Sequence, residues 1–177
     1  MAYTYEHPRP SVTVDCVILK IISDSIQILL IQREKEPFKN KWALPGGFLE
    51  MEEKLVEGVK RELEEETGLK ISKLEQIGAF GDPDRDPRGR VISIAFLSIL
   101  KKRQESQIKA ASDAADVQWF DLQKLPELAF DHKKIISKSI TYLRNQLKLS
   151  LVEQQPFFDL SEKESKEINN LITGFHG

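Results

Sequence analysis

Apolar residues recur along the chain in two spacings, and the first of these predicts β-strands. Val, Ile and Leu dominate residues 12–20 and 27–32, and the turn-forming residues 23–25 separate the two runs. This order predicts a β-hairpin. Alternation or a high content of β-branched residues predicts three later strands, in residues 69–80, 91–100 and 117–120.

The second spacing, of three and four residues, predicts two amphipathic helices. The first covers residues 55–67 and ends at Gly68, a residue that adopts the left-handed conformation at low cost. The second covers residues 132–147, with Asp131 as its N-cap and His132 on the surface of its first turn. The two apolar stripes are Leu55, Val56, Val59 and Leu63, and then Ile135, Ile136, Ile140, Leu143 and Leu147.

The length of the chain bounds its domain organisation. A chain of 177 residues is long enough for one domain with a substantial core. We expect that domain in residues 10–148 and a helical extension in residues 149–177. The extension has too few apolar residues for a core of its own, so we expect it to pack on the domain or on a second subunit.

Charge and cysteine content narrow the classes of partner. The 26 basic and 28 acidic residues give a net charge of −2, with both signs interspersed. No basic field for nucleic acid and no patch for a membrane surface is indicated. Cys16 is the only cysteine and lies in an apolar run, so we expect a core residue in a reducing compartment. The N-terminus lacks an export signal, and the sequence therefore predicts a cytoplasmic protein with a small-molecule partner.

The first predicted helix carries three carboxylates on one arc. Glu62, Glu65 and Glu66 lie beside the apolar stripe, where their mutual repulsion favours a bound divalent cation. Gly58, one turn earlier, would leave room for a phosphate. The preceding Pro45-Gly46-Gly47 turn leaves backbone groups accessible to the same ion. A glutamate-rich helix that is merely solvated is the alternative.

The joint spacing of this segment, G-x5-E-x7-R-E-L-x-E-E-x-G-L from Gly47 to Leu69, is similar to the Nudix box of the Nudix hydrolases. The resemblance extends over residues 10–147 and implies an α/β fold, an α/β/α sandwich with a mixed β-sheet between helices. It also implies Mg²⁺ or Mn²⁺ as cofactor. Metal ligands would be Glu62, Glu65, Glu66 and the Gly47 carbonyl, and Glu53 would pair with Arg61 to hold the loop to the helix.

The charged loop at residues 81–90 is the second informative segment. Its sequence GDPDRDPRGR resembles a loop of the ADP-ribose pyrophosphatase branch of the Nudix proteins and of related transcriptional regulators of NAD metabolism. Guanidinium groups suit phosphate binding, so Arg85, Arg88 and Arg90 are expected to bind substrate. A solvated connector with internal ion pairs is the alternative.

The resemblance implies hydrolysis of ADP-ribose to AMP and ribose 5-phosphate. Glu65 is the first candidate for the general base, and an aspartate of residues 82–86 is the second. Gly46 and Phe48 join the expected substrate site. Trp42 is a further residue that could contact the base, and Asp113 and Asp116 are possible loop acids.

The sequence leaves two other functions open. One is a sensor of an NAD-related metabolite that retains the fold without useful catalysis. The other is hydrolysis of nucleoside triphosphates or nucleotide sugars, since the Nudix box binds phosphate and metal and does not select the base. The branch that the chain resembles also contains many dimers, so a homodimer is possible.

Overall fold

One mixed sheet organises the molecule, for which the computed structural model describes residues 6–22, 24–100 and 114–175. Five strands form the continuous order β3-β2-β1-β6-β5, while β4 pairs with β1 and β7 pairs with β2. β1 and β6 run parallel and the other pairs run antiparallel. The strands are β1 (Ser11–Ile22), β2 (Ser25–Arg33), β3 (Trp42–Ala43), β4 (Gly46–Phe48), β5 (Glu75–Phe80), β6 (Val91–Leu100) and β7 (Ala114–Asp121).

Three helices cover the two faces of this sheet: α1 (Leu55–Thr67), α2 (His132–Glu153) and α3 (Glu162–Thr173). Alternate residues of β1 point to opposite faces. Cys16 and Ile18 pack with Val59 and Leu63 of α1, whereas Val17 packs in the core beneath α2 and α3. The expected α/β/α sandwich is therefore confirmed. None of the described helices combines the length and apolar character needed to span a membrane.

The helix α1 begins and ends where its periodicity predicts. Gly68 adopts a φ of 72°, and its backbone N–H donates to the Glu64 carbonyl at 2.9 Å. Val56 was wrongly placed in the apolar stripe, because this side chain is 43% exposed and the buried positions of the helix continue at Val59 and Leu63. Burial therefore follows a narrower stripe than the sequence suggested.

The start of α2 differs from expectation in its contacts. Asp131 occupies the N-cap position but makes no side-chain cap bond, since its carboxylate binds Arg85. His132 was expected on the surface and is buried instead. Its Nδ1 accepts the Leu44 backbone N–H at 2.9 Å. The first turn of α2 is thus fixed by long-range polar contacts.

The C-terminal segment packs on the domain. Phe158, Leu160, Ile168, Ile172 and Phe175 belong to the same core cluster as the sheet and α2. Arg144 of α2 also donates to the Ile172 carbonyl at 2.6 Å. The boundary expected between residues 148 and 149 lies inside α2, which continues to Glu153.

Candidate active site

The carboxylates of α1 meet Gly46 and Gly47, the glycines of the turn expected from the sequence, which form the start of strand β4. Glu66 is only 8% exposed, and one of its oxygens accepts the Gly46 backbone N–H at 2.8 Å. Glu62 lies against Gly47, where an added Cβ would stand 2.5 Å from Glu62 Oε2. Glu65 lines the same pocket and is more exposed. Glu62, Glu65 and Glu66 are together called the carboxylate wall. The structure therefore brings all three carboxylates and both glycines together.

Burial determines the electrostatics of this wall. Loss of solvent raises the pKa of Glu66 to about 8. Burial also raises the pKa of Glu62, although the hydrogen bond from Arg61 opposes that shift. A cation near both groups would favour their ionised forms.

The guanidinium group of Arg61 is a positive charge next to these carboxylates. It donates to both oxygens of Glu53, at 3.0 and 2.7 Å, and to Glu62 at 2.8 Å and Glu65 at 3.2 Å. The hydrogen bond with Glu53 raises the pKa of Arg61 and lowers that of Glu53. A further bond to the Phe48 carbonyl, at 3.1 Å, joins the helix to the end of β4. This network fixes the loop against α1.

Gly58 serves the packing of this network rather than a phosphate. A Cβ on Gly58 would lie 2.7 Å from Leu49 Cδ1 and 2.9 Å from Glu53 Oε1. The missing side chain therefore makes room for Glu53 and Leu49. The expectation that this glycine leaves space for a metal-bound phosphate was wrong.

The donor set suits a hard divalent cation. Carboxylate and carbonyl oxygens are the ligands that Mg²⁺ and Mn²⁺ prefer, and Mg²⁺ commonly keeps several waters and substrate oxygens. Within the described residues, no three His, Cys, Asp or Glu side chains converge closely enough to enclose an ion by themselves. An ion held by Glu62 and Glu66 would therefore need further oxygen ligands.

The three arginines of the 81–90 loop occupy different positions. Arg85 is buried, with its guanidinium paired to Asp131 at 2.7 and 3.2 Å. Arg88 is half-exposed and binds Asp86, and it stacks within 4.8 Å of the Phe48 ring centroid. Arg90 is exposed and donates to the Gly81 carbonyl. Only Arg88 of the three lines the pocket that contains the carboxylates.

Two adjoining pockets form the site. The outer pocket, of about 350 Å³, contains Glu62, Glu65 and Glu66. The inner pocket, of about 60 Å³, contains Asp15, Arg85 and His132. Both pockets share part of their lining: Ile31, Arg33, Gly46, Gly47, Phe48 and Arg88.

Arg33 is a residue of this shared wall that the sequence analysis missed. A register shift between β2 and β7 at Gln32/Arg33 marks its position. Its Nε donates to the Pro37 carbonyl at 2.8 Å, and its guanidinium lies 4.8 Å from the Phe130 ring centroid. Burial, and then the charge of Arg88, lowers the pKa of Arg33. In the sequence it only ended a strand before a charged loop, so no local pattern marked it.

The remaining candidates lie away from the two pockets or outside the described residues. The Asp116 carboxylate accepts hydrogen bonds from the Val117 backbone and from the Gln118 side chain. Trp42 packs edge-on against Phe120, 4.6 Å between centroids, beside the core. Asp113 lies outside the described residues. Phe48, by contrast, is 45% exposed and lines both pockets.

The NUDIX domain model matches residues 11–139. The chain belongs to the NUDIX family. Among relatives of this NUDIX chain, the ADP-ribose pyrophosphatase of Methanocaldococcus jannaschii is 48% identical over 129 residues, which are 72% of each protein. The ADPR responsive transcriptional repressor NtrR of Acinetobacter baylyi is 34% identical over 96% of this chain and 69% of its own.

A solved NUDIX structure agrees with the sequence relatives. The NUDIX domain of Shewanella oneidensis NrtR, complexed with ADP ribose, superposes with a TM-score of 0.71 at 29% identity. The match covers 77% of this chain and 90% of that one. Family and fold are thus established by independent comparisons.

Proposed function

We propose that this NUDIX protein hydrolyses ADP-ribose with one water molecule, giving AMP and ribose 5-phosphate. The observation that carries the proposal is that carboxylates and guanidinium groups line the same pocket. Glu62 and Glu66 supply the carboxylates, and Arg33 and Arg88 supply the guanidinium groups. The similarity to an ADP-ribose pyrophosphatase supports this substrate.

The proposal includes Mg²⁺, or Mn²⁺, whose ligands would come from Glu62, Glu65, Glu66 and the Gly47 carbonyl, with water and substrate oxygens completing the coordination. Such an ion, when bound, withdraws charge from phosphoryl oxygens and lowers the pKa of a coordinated water. Arg33 and Arg88 would bind the diphosphate through charge-assisted hydrogen bonds. Gly46 and Phe48 would contact the substrate beside them.

Glu65 is the favoured acceptor of the proton from water. It is the most solvent-accessible carboxylate of the α1 wall. Asp82 and Asp86 of the neighbouring loop bind Lys134 and Arg88, and those bonds hold the pKa of each below its ordinary value, against the effect of burial at Asp86. Both groups are therefore weaker bases than a carboxylate with the ordinary pKa.

The decisive test replaces single carboxylates of α1 by their amides. Glu62→Gln and Glu66→Gln should each lower Mg²⁺-dependent release of AMP by at least about 100-fold, since one ionised ligand is lost. Glu64→Gln on the exposed face of the same helix is the matched control and should retain activity. Full activity in either of the first two variants would remove the proposed metal site.

A metabolite sensor is the second candidate, and the similarity to an ADPR responsive repressor favours it. Turnover distinguishes the two functions. A screen of ADP-ribose, nucleotide sugars, dinucleoside polyphosphates and nucleoside triphosphates, with Mg²⁺ or Mn²⁺, should give fastest hydrolysis of ADP-ribose. Tight binding of one of these compounds without hydrolysis would establish the sensor instead.

The proposal extends to the setting of the enzyme. We place it in the cytoplasm as a possible homodimer that acts on a small molecule and binds neither nucleic acid nor membrane. The near-neutral charge of the chain supports the absence of a nucleic-acid partner. Light scattering on the purified protein tests the dimer, and a DNA mobility shift tests the absence of a nucleic-acid partner.

A further inference from the structure

Asp15 is a buried residue that lines the inner pocket. It lies on β1 opposite Gly46 of β4, and its side chain is 8% exposed. Ser93 donates its hydroxyl to Oδ2 of this carboxylate. A side chain at Gly46 would approach Asp15 Oδ1 to 2.9 Å. The glycine therefore leaves the carboxylate accessible from the glycine turn.

Two donors face Asp15 across gaps that a direct hydrogen bond does not close. His132 Nε2 stands 3.6 Å from Oδ1, and Arg85 Nη2 stands 3.8 Å from Oδ2. Because His132 Nδ1 accepts the Leu44 N–H, the proton of the neutral imidazole is on Nε2. Separations longer than 3.5 Å are too long for a direct hydrogen bond, and a group that hydrogen-bonds to both sides can bridge them. The pocket thus presents one acceptor and two donors to such a group.

Hydroxyl groups match this arrangement, because each can donate to Asp15 and accept from His132 or Arg85. A phosphate does not match it, since the Asp15 carboxylate would repel a second anion. The phosphate finds its complement at Arg33 and Arg88, which connect this pocket to the carboxylate wall. A ligand that extends inward from the diphosphate would therefore place neutral polar groups at Asp15.

The size of the inner pocket bears on which part of a nucleotide ligand can enter it. It has about 60 Å³, against about 350 Å³ for the outer pocket. The edge of a sugar that carries two hydroxyls enters such a space more readily than a planar purine.

We propose that Asp15, with His132 and Arg85, binds the hydroxyl groups of a phosphate-linked sugar. On the proposed function, on which this assignment rests, that sugar is the terminal ribose of ADP-ribose. The inner pocket then distinguishes ADP-ribose from ADP, which has the same diphosphate without the second ribose.

The test measures that distinction by calorimetry, with ADP-ribose and ADP as probes in the absence of turnover. Asp15→Asn removes the charge and keeps the size of the side chain. It should weaken the binding of ADP-ribose by about tenfold or more, as expected for a hydrogen bond to a charged group, and that of ADP by less than about twofold. Asp24→Asn, the same change at an exposed turn, should leave both affinities unchanged.

A second measurement needs no variant and covers the case in which Asp15→Asn does not fold. Ribose 5-phosphate and 2-deoxyribose 5-phosphate are compared as ligands of the unaltered protein, and the deoxy sugar should bind at least about tenfold more weakly. Equal affinities, or equal losses for ADP-ribose and ADP in Asp15→Asn, would overturn the assignment. A protein that shows the expected preferences but does not hydrolyse ADP-ribose would refute the proposed function alone.

Discussion

The adjacent glycines Gly46 and Gly47 differ in how well they would tolerate an added side chain. Gly46 has a φ of 154°, and an added Cβ would lie 2.9 Å from the Asp15 Cα. At Gly47 the three atoms nearest to an added Cβ all belong to the end of the Glu62 side chain. The backbone next to Gly46 cannot move to make room for a side chain. The flexible Glu62 side chain next to Gly47 can.

We therefore expect two different phenotypes from two alanine substitutions. Gly46→Ala should lower the free energy of unfolding by about 3 kcal/mol through strain and overlap. Gly47→Ala should fold almost normally but displace the Glu62 carboxylate and lower kcat by about tenfold or more. Thermal unfolding and steady-state kinetics measure both effects, with Gly174→Ala, which has open space for its Cβ, as control. Equal stability losses at positions 46 and 47 would contradict this account.

At the scale of elements, the first turn of α2 connects three parts of the chain. His132 accepts the Leu44 N–H just before the glycine turn, and the neighbouring Asp131 binds Arg85 of the 81–90 loop. The side chain of Arg85 is only 3% exposed. Its main structural role is therefore to link that loop to α2. The start of the helix thus holds Arg85 and the residue before Pro45 in place together.

This junction predicts a dependence of stability on pH. Burial lowers the pKa of His132 below its ordinary value of 6.5, so the folded state keeps the neutral imidazole while the unfolded state takes up a proton. The contribution of His132 to stability is present above pH 6.5 and is lost as pH falls below it.

His132→Asn keeps an acceptor for the Leu44 N–H but cannot titrate, and it isolates this effect. The unaltered protein should lose stability relative to the variant between about pH 6.5 and pH 5, because only its unfolded state gains the histidine proton. Urea denaturation at several pH values gives both free energies. Curves that stay parallel over this range would show that His132 does not titrate on unfolding.

At the scale of the whole molecule, the C-terminal helix belongs to the main core. Ile168 and Ile172 of α3 are buried together with Leu143 and Leu147 of α2. Ser161 and Glu164 form a capping box that fixes the first turn of α3. The helix therefore covers one face of the sheet jointly with α2.

Loss of one buried side chain from α3 should then destabilise the entire fold. Ile172→Ala should lower the free energy of unfolding by about 3 kcal/mol, the cost of a cavity in a packed core. Val152→Ala removes methyl groups from a residue of α2 that is 81% exposed, and it should change stability by less than about 0.5 kcal/mol. A single cooperative transition with the expected loss supports a shared core. An unchanged transition for Ile172→Ala would show that α3 is dispensable.

The sequence determined what depends on neighbours along the chain. The helix α1 from Leu55 to Thr67, its stop at Gly68 and the common arc of Glu62, Glu65 and Glu66 follow from residue periodicity. The strand β6 also has the bounds that its β-branched run predicts. Local geometry suffices for such features, since hydrogen bonds within a few residues decide them.

Tertiary structure alone decided which residues form the inner pocket. Arg33, Asp15 and His132 come from β2, β1 and α2, and only strand pairing and helix packing bring them to one pocket. The same packing removed Arg85 from solvent and placed His132 in the interior. Burial and contacts between residues distant in sequence depend on the whole fold, so spacing along a single chain could not reveal which polar side chains would share that pocket.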